Sequence, residues 1–467
     1  MHLIDYLIFL LYMMVILGVG FYFFRKNTTR DDYYVGNRSI SASHISLSIV
    51  ATDVGGGFSI GLGGLGYVMG LSGSWLLFTG LVGAWMAAVW VVPKIKTLDE
   101  KLGMLTFPDF LRHKFGENVA LPAAIISAIG YMGFTGAQVL AGAKLAAGTV
   151  FQNIPFAIEP LQFSLFVMTG VILIYTVMGG IKAVIYTDTI QWIILLSGLL
   201  FLGLPFAYIK VGGMAQLKAQ LPAEFFSLGN IKPTQFINWF VTIVPIWFIA
   251  MTLYQRIYAS KSIKDAKKAW FMAGLFEYPV IAFIGVSLGM ISRIQFPNVE
   301  AEMGLPLLIK GVLPVGVTGV VAASYFSAIM STADSCLIAS SGNVVNDILK
   351  RYVVRSDSHR TLMRLSQIVT LVLGAVTLLI ATSFQTVLEI ILHAYSFMVA
   401  GLFIPTLAAL FTTKCNAIAA VWSMISGATV VLLMILFDSR IQSELDGSFY
   451  GILVSAVVYY LLNIREN

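Results

Sequence analysis

Hydroxyl and carboxyl groups inside long apolar segments are the side chains of this sequence that could do chemistry. Five acidic residues lie in such segments: Asp53, Asp188, Glu277, Asp334 and Glu389. Another set recurs at i, i+3, i+4 and i+7 and therefore shares one helix face: Ala328, Ser331, Thr332 and Ser335. Acidic residues at membrane depth are rare and usually functional. Carboxylates, hydroxyls and freed carbonyls suit a hard cation such as sodium, so the pattern predicts a cation site; helix packing through the hydroxyls is the alternative.

Two of the apolar segments are interrupted near their middle. In segment 40–69, Asp53 is followed by a glycine triplet at residues 55–57, and each glycine lowers helix stability by about 1 kcal/mol. In segment 236–257, Pro245 removes a backbone hydrogen bond. Paired interruptions are typical of transporters built from inverted repeats, because unwound backbone at membrane depth is tolerated where it lines a cavity. The breaks therefore predict a binding site in mid-membrane, with simple helix packing as the alternative for the glycines.

The composition is that of a membrane protein. Of 467 residues, 58% are hydrophobic and only 11% are charged, and the mean hydropathy is +0.87. Soluble domains carry about 25% charged residues. The basic residues lie mostly in short loops between apolar runs, which excludes nucleic-acid binding. The sequence contains neither a Walker A motif nor a recognisable set of nucleophile and base, so both ATP-driven pumping and enzymatic activity are disfavoured.

The apolar runs predict an all-α integral membrane protein with about thirteen transmembrane helices, since roughly 20 apolar residues cross a bilayer. The predicted spans are residues 3–24, 40–69, 71–92, 118–150, 161–180, 183–211, 236–257, 269–292, 315–345, 364–383, 386–411, 416–437 and 449–463. Most basic residues fall in alternate loops, which predicts an N-terminus outside and a C-terminus in the cytoplasm. We expect a multi-pass protein of the plasma membrane, as in the inner membrane of a bacterium.

Three motifs occur in a specific order along the chain. They are Ala51-Thr52-Asp53-Val54-Gly55-Gly56-Gly57, the run from Tyr175-Thr176 through Gly179-Gly180 to Thr187-Asp188, and Ser327-Ala328-Ile329-Met330-Ser331-Thr332-Ala333-Asp334-Ser335. Together they resemble the sodium:solute symporter family over about residues 5–430. The resemblance implies a LeuT-like fold, in which two inverted five-helix repeats follow one extra helix and precede two more. The implied divisions are an extra helix with an inner loop (1–39), the first repeat (40–211), an outer loop (212–235), the second repeat (236–411) and the two C-terminal helices (412–467).

The resemblance also implies roles for particular residues. The first sodium site would use the carbonyls of Ala51, Val54 and Ala328 with the hydroxyls of Ser331 and Thr332. A second sodium site would use Asp188 with Ser331, Asp334 and Ser335. Asp334 stands where many relatives have serine, so this site could bind sodium, bind a proton or form a carboxylate pair. Arg38 corresponds to a basic residue that guards the cytoplasmic exit.

The solute is predicted from what surrounds the first break. The motifs are nearest to those of the choline-transporter branch, which binds its substrate in a cage of tryptophan side chains. In this sequence the corresponding positions are Asp53, a residue near Phe134, and Ala250. The missing cage disfavours choline. Sugars are disfavoured because Ala250-Met251 replaces the Asn-Gln pair of sugar carriers. An unpaired Asp53 could face an ammonium group; serving sodium or capping freed amides are its alternatives. The predicted substrate residues are Asp53, Gly55, Gly56, Gly57, Phe134 and Trp247.

These observations predict a sodium-coupled symporter that imports a small zwitterion or amine, such as an amino acid, by alternating access, and that works as a monomer. A symporter of a sugar or carboxylate is one alternative. A transporter-like membrane sensor is another, disfavoured because only four residues follow the last predicted span. Glu277, near Pro279, is expected to be a packing or gating residue. The glycines 61, 63 and 66 spell a dinucleotide fingerprint, for which close helix packing is the expected explanation.

Overall fold

The computed structural model describes residues 1–26, 35–152, 157–179, 181–354, 358–413, 415–437 and 443–464. Gly180, in the second motif, lies outside them. The α-helices, in chain order, are α1 (Leu3–Lys26), α2 (Ala42–Asp53), α3 (Gly55–Met69), α4 (Trp75–Trp90), α5 (Val92–Leu102), α6 (Phe107–Phe115), α7 (Glu117–Gly148), α8 (Pro160–Gly179), α9 (Ile181–Leu196), α10 (Leu204–Lys210), α11 (Gly213–Gln220), α12 (Pro233–Ile249), α13 (Met251–Ala259), α14 (Ile263–Phe276), α15 (Phe283–Gln295), α16 (Gly304–Val312), α17 (Val317–Gly342), α18 (Lys350–Tyr352), α19 (His359–Ser383), α20 (Val387–Phe411), α21 (Ala417–Leu436) and α22 (Gly447–Ile464). Three π-helical turns connect helices without interrupting them: Ser197–Gly203, Glu277–Ala282 and Asn343–Leu349.

The helices confirm the predicted fold class. Within the described ranges, nine helical stretches are long and apolar enough to cross a membrane, or ten when the bent pair α12–α13 is included. Two shorter apolar helices, Leu3–Val19 and Pro160–Ile174, coincide with predicted spans. The stretch Gly57–Trp90 covers parts of two predicted spans, which meet at Gly70, where φ is +71°. The count of thirteen spans stays a prediction.

Both predicted breaks are present, one of them displaced. Helix α2 ends at Asp53 and α3 begins at Gly55, whose φ of +45° favours glycine. The second break separates α12 from α13 at Ala250, with a bend of 41°, and not at Pro245 as the sequence suggested. The amide of Ala250 still donates to the Ile246 carbonyl at 2.9 Å, so the helix continues past the proline and ends one turn later.

Helix α17 forms the centre of the bundle. Its membrane-depth residues are all buried, and it packs against α1, α2, α3, α7, α8 and α9. The hydroxyl group of Tyr12, on α1, donates to Ser327 on α17. The predicted hydroxyl face therefore points into protein on every side, where both halves of the broken helix can reach it.

Close packing explains the glycines of α3. A Cβ on Gly61 would lie 3.3 Å from Leu388, and one on Gly63 would lie 3.1 Å from Leu305. At Gly66 it would lie 2.2 Å from the carbonyl oxygen of Val286, on α15. The three glycines thus bring three other helices against α3, as the packing interpretation of the fingerprint predicted.

Candidate functional site

The hydroxyl group of Thr332 joins the central helix to the first break. Its Oγ1 lies 2.9 Å from the carbonyl oxygen of Ala51 and 3.0 Å from that of Ala328. A Cβ on Gly55 would fall 2.0 Å from the same hydroxyl, so only glycine permits this approach. The structure therefore brings together three of the five predicted ligands of the first sodium site, and all three offer oxygen.

The other two predicted ligands lie next to this cluster and are engaged elsewhere. Val54 keeps helical dihedral angles, and its carbonyl accepts a bond of 3.2 Å from the amide of Phe58. The hydroxyl of Ser331 donates to Oδ1 of Asp188. Each of these oxygens still has a lone pair that could coordinate a cation while its hydrogen bond is kept.

Asp188 pairs with Arg256 inside the bundle. Arg256 Nη2 lies 3.3 Å from Oδ2 of Asp188, and both side chains are fully buried. The guanidinium group also donates to Ser48 Oγ at 3.0 Å, to Ser335 Oγ at 2.9 Å and to the Thr252 carbonyl at 3.0 Å. Arg256 lies near the end of the predicted span 236–257, and it is fully buried because α13 continues from Met251 to Ala259.

The predicted second sodium site is divided between two directions. Asp188, Ser331 and Ser335 share the network around Arg256. Asp334 points toward α8 instead, where Oδ1 accepts a hydrogen bond from the hydroxyl of Thr176. Its other oxygen, Oδ2, has no hydrogen-bond partner among the described residues. The structure therefore places the guanidinium of Arg256 in direct contact with Asp188, while Asp334 bonds to Thr176.

Asp53 and Phe134, two of the predicted substrate residues, meet at a cluster of aromatic rings. The rings of Phe58, Phe134 and Tyr395 lie with centroids 5.0 to 6.4 Å apart. The hydroxyl of Tyr395 is 3.5 Å from Oδ1 of Asp53. Asp53 does not cap α3, which begins without a side-chain hydrogen bond. Tyr395 lay in a predicted span without any spacing signal that would mark it as part of the site.

The glycine triplet faces a buried glutamine. The amide of Gly57 donates to Oε1 of Gln138 at 2.8 Å, and a Cβ there would lie 2.5 Å from Nε2 of the same side chain. Nε2 has no partner among the described residues and is therefore a spare donor at the break. Gln138 was not among the predicted site residues, although a polar amide side chain within an otherwise apolar span indicates a functional position.

Trp247 lies in α12 against α4 and near Glu277. A Cβ on Gly83 would fall 2.4 Å from Cδ1 of Trp247. A Cβ on Gly80 would fall 2.6 Å from Oε2 of Glu277 and 3.9 Å from Nε1 of Trp247. Neither Nε1 of Trp247 nor either oxygen of Glu277 has a hydrogen-bond partner in the described part of the chain. Small residues on α4 thus leave room beside two unsatisfied polar groups.

Arg38 belongs to an ionic cluster at the end of the bundle where α2 begins. It donates to Asp99 at 3.2 Å and to the Met104 carbonyl at 2.7 Å. Lys96 also pairs with Asp99, at 3.1 Å, and donates to the Tyr258 carbonyl at 2.9 Å. Burial raises the pKa of Asp99, although Arg38 and Lys96 act in the opposite direction. This group of side chains, the Arg38 cluster, ties the segment before α2 to α5 and α13.

A cavity of about 1050 Å³ opens at the opposite end of the bundle. Its lining includes Gly61, Asn230, Glu302, Glu389, Ser396 and Asp446. Gly61 is one helical turn beyond Phe58, and Ser396 follows Tyr395 in the chain. The aromatic cluster therefore lies between this cavity and Asp53.

A broken helix beside an unbroken, hydroxyl-bearing one, with a cavity at one end and an ionic cluster at the other, defines a secondary transporter. The chain belongs to the sodium:solute symporter family, whose family model matches residues 33–427. The relatives that it matches are transporters and not enzymes.

The high-affinity proline transporter PutP of Bacillus subtilis (strain 168) is 27% identical over 427 residues, which cover 89% of each chain. The sodium/myo-inositol cotransporter 2 of Homo sapiens is 28% identical over 484 residues, which cover 93% of this chain and 70% of that protein. A solved Na+-coupled sialic acid symporter, in a substrate-bound outward-open state, has a TM-score of 0.78 at 22% identity. That match covers 98% of this chain and 96% of the other, and it supports the LeuT-like fold.

Proposed function

We propose that the protein is a sodium-coupled symporter that imports a small amine or zwitterion by alternating access. The observation that carries this proposal is the convergence of Ala51, Ala328 and Thr332 oxygens between the broken helix and α17. Sodium prefers oxygen ligands, and a site shared by two elements couples ion binding to their relative position. Membership of the sodium:solute symporter family supports sodium as the coupling ion.

The proposed first sodium site consists of Ala51, Val54, Ala328, Ser331 and Thr332. The Thr332 hydroxyl lies between the two carbonyls of Ala51 and Ala328. With sodium bound, these carbonyls would turn lone pairs to the ion, and Ser331 would coordinate it through its oxygen while its proton stays donated to Asp188. The second site of Asp188, Asp334 and Ser335 has a weaker case, because Arg256 already supplies positive charge to Asp188.

The proposed solute site lies beside the break, among Asp53, the residues 55–57, Phe134 and Trp247. Asp53 is free to accept an ammonium group, since it neither caps α3 nor bonds to a basic residue of the described chain. Proline transporters among the relatives support a solute with an amino group. The myo-inositol relative leaves sugars and related polyols as the competing class.

The proposed cycle uses the two ends of the bundle in turn. In this cycle the cavity admits solute and sodium from outside. The Arg38 cluster is the closed cytoplasmic gate. Rocking of one repeat against the other then opens the inner end. This assignment places the N-terminus outside and the C-terminus in the cytoplasm, with the repeats at 40–211 and 236–411.

The substitution Thr332→Val tests the sodium site. Valine keeps the shape of threonine but removes the hydroxyl, so the variant should lose most of its response to sodium. We expect sodium chloride, compared with potassium chloride, to raise the thermal unfolding midpoint of the purified wild-type protein, because a ligand stabilises the state that it binds. In Thr332→Val, at least a tenfold higher sodium concentration should be needed for the same shift, equivalent to about 1.4 kcal/mol.

Thr377→Val is the matched control, because Thr377 is also buried and its hydroxyl donates only within its own helix, to the Gly374 carbonyl at 2.7 Å. It should respond to sodium like the wild type. An unchanged sodium response in Thr332→Val would refute the proposed coupling site.

A further inference from the structure

We propose that a groove between α5, α6 and the end of α20 binds an anionic phospholipid. Its phosphate would be held by Lys94 and Lys114, and an acyl chain would lie along the apolar wall of the groove. This surface is apart from the sodium and solute sites, so the inference does not depend on the proposed coupling.

The groove is a cavity of about 400 Å³. This volume lies within the range of about 300–1,000 Å³ that is usual for small-molecule sites. Lys94 on α5 and Lys114 on α6 both line it, so a single ligand can contact both side chains. The rest of the wall is mostly apolar and includes Pro93, Leu98, Phe110 and Leu410.

Two candidate membrane spans end at this groove, Gly57–Trp90 and Val387–Phe411. The side chains of Trp90 and Phe411 are 44% and 50% exposed, and exposed aromatic rings at the ends of spans are typical of the bilayer interface. Lys94 connects the two ends, since its Nζ donates to the Leu410 carbonyl at 2.7 Å and lies 4.0 Å from the ring centroid of Phe411. The groove therefore opens where phospholipid headgroups meet their acyl chains.

The two lysines of the groove have positive charge to spare. The nearby carboxylates of Asp99 and Asp109 pair with other cations, Lys96 at 3.1 Å and Arg112. Among the described residues, neither groove lysine has a carboxylate within ion-pair distance. An ammonium group has three donors, and Lys94 uses one of them on Leu410, so two remain for a phosphate.

The combination of charge and apolar surface favours an anionic lipid over the other phosphate-bearing ligands. A zwitterionic lipid would bring its own positive charge next to the two lysines. A free phosphate ion would satisfy the lysines but would leave the apolar wall uncovered. The cytoplasmic leaflet attracts basic segments through its anionic lipids, and the proposed topology places α5 and α6 on that side.

The test is native mass spectrometry of the purified full-length protein in a neutral detergent, which measures the affinity of each added lipid. The probes are phosphatidylglycerol and phosphatidylcholine with the same acyl chains, and inorganic phosphate as a competitor. Each lysine near an anionic headgroup strengthens binding about fivefold. We therefore expect phosphatidylglycerol to bind at least about fivefold more tightly than phosphatidylcholine, and phosphate not to displace it.

The double variant Lys94→Gln/Lys114→Gln should bind phosphatidylglycerol at least about tenfold more weakly and should bind both lipids equally. Lys264→Gln/Lys268→Gln is the matched control, because it removes two exposed lysines of α14, outside the groove, and it should keep the wild-type preference. An equal loss in the control would show diffuse attraction to basic residues and would overturn the inference.

Thr97→Trp tests the groove itself while both lysines are kept. Thr97 is exposed and lines the cavity, so a tryptophan there should fill the space and weaken phosphatidylglycerol binding about tenfold. Unchanged binding in this variant would mean that the lipid lies elsewhere. Equal affinity of the wild type for the two lipids, or displacement of phosphatidylglycerol by phosphate, would also overturn the inference, and both results are read on the wild type alone.

Discussion

Arg256 places a permanent positive charge beside Asp188 within the membrane part of the protein. A buried ion pair is stabilising only when its remaining hydrogen-bonding groups are satisfied. Here the guanidinium group reaches three helices besides its own, since it donates to Ser48 and to Ser335 as well as to Asp188. The pair therefore connects α2, α9 and α17 through one side chain of α13.

Removal of one member of this pair should be worse than removal of both. Arg256→Gln leaves Asp188 buried without a cation, so we expect a loss of about 3–5 kcal/mol in the free energy of unfolding. Adding Asp188→Asn should restore part of this loss, because the uncompensated charge is then absent. Denaturant titrations of the two variants, followed by circular dichroism, measure the difference. If the double variant is less stable than Arg256→Gln alone, the proposed charge coupling is wrong.

At the scale of single residues, the role of a side chain could be predicted from the sequence when its neighbours in the chain showed a regular spacing or a motif. The i, i+3, i+4 spacing placed Ala328 and Thr332 on one face, and the Thr332 hydroxyl does reach the carbonyl of Ala51. Arg256 and Glu277 had no such pattern. One stood beside a helix end and resembled a loop cation, and the burial of the other depends on Gly80, which is distant in the chain. Contacts of that kind arise only from the tertiary fold.

Helices α3 and α15 touch through their backbones. A Cβ on Gly289 would lie 2.1 Å from the carbonyl oxygen of Gly63, and one on Gly66 would lie 2.2 Å from that of Val286. Both atoms belong to the main chain, which cannot move aside as a flexible side chain can. Helix α3, the second half of the broken helix, is therefore held against α15 along a line of glycines.

Gly66→Ala should consequently destabilise the protein, since the two helices must move apart to admit the methyl group. We expect a loss of about 1–3 kcal/mol in the free energy of unfolding, as for other overpacked sites. Gly170→Ala is the control, because a Cβ at Gly170 would have no heavy atom within 4 Å. Equal stability of the two variants in a denaturant titration would show that the backbone contact is unimportant.

The position of the second break could not be predicted from the sequence of its helix. Pro245 predicted the interruption of span 236–257, but the helix tolerates the missing amide proton and turns at Ala250. Nothing in the local composition distinguishes Ala250, whose extended ψ of 117° comes from the way α13 packs into the bundle. Glycine at position 55, by contrast, has a local preference for the positive φ of the first break, so that break could be located from the sequence.

At the scale of the whole molecule, the Arg38 cluster closes one end of the bundle and the cavity opens at the other. The side chains of Arg38 and Asp99 are 22% and 0% exposed, and the cluster connects α5 with the start of α2. Cys336 lies buried on α17 between the ends and is one of the two cysteines of the chain. Its reactivity can therefore report whether the path from the inner end is open.

Arg38→Ala should open that path. In a Cys415→Ser background, we expect maleimide to label Cys336 roughly tenfold faster in Arg38→Ala, which corresponds to about 1.4 kcal/mol lost from the closed state. Arg351→Ala is the control, since Arg351 forms an ion pair with Glu117 in which both side chains are about half exposed. Such pairs contribute little. Labelling at the wild-type rate in Arg38→Ala would exclude a gating role for Arg38.

The fold class could be predicted from apolar run length and the order of three motifs, because a bilayer permits few solutions for such a sequence. The direction in which the described chain is open could not, since it depends on contacts between residues distant in the chain, such as Arg38 with Asp99 at one end and Tyr395 with Asp53 near the cavity.

A guanidinium that is part of the chain does not dissociate, which bears on the energetics of each turnover. Arg256 compensates Asp188 without consuming an ion gradient, whereas every charge that crosses with the cargo gains about 2.3 kcal/mol per 100 mV. The electrical work of a transport cycle therefore comes from the charges that cross the membrane with sodium and solute, and not from Arg256. The membrane potential alone would therefore drive accumulation of a neutral solute through the sodium ion that accompanies it.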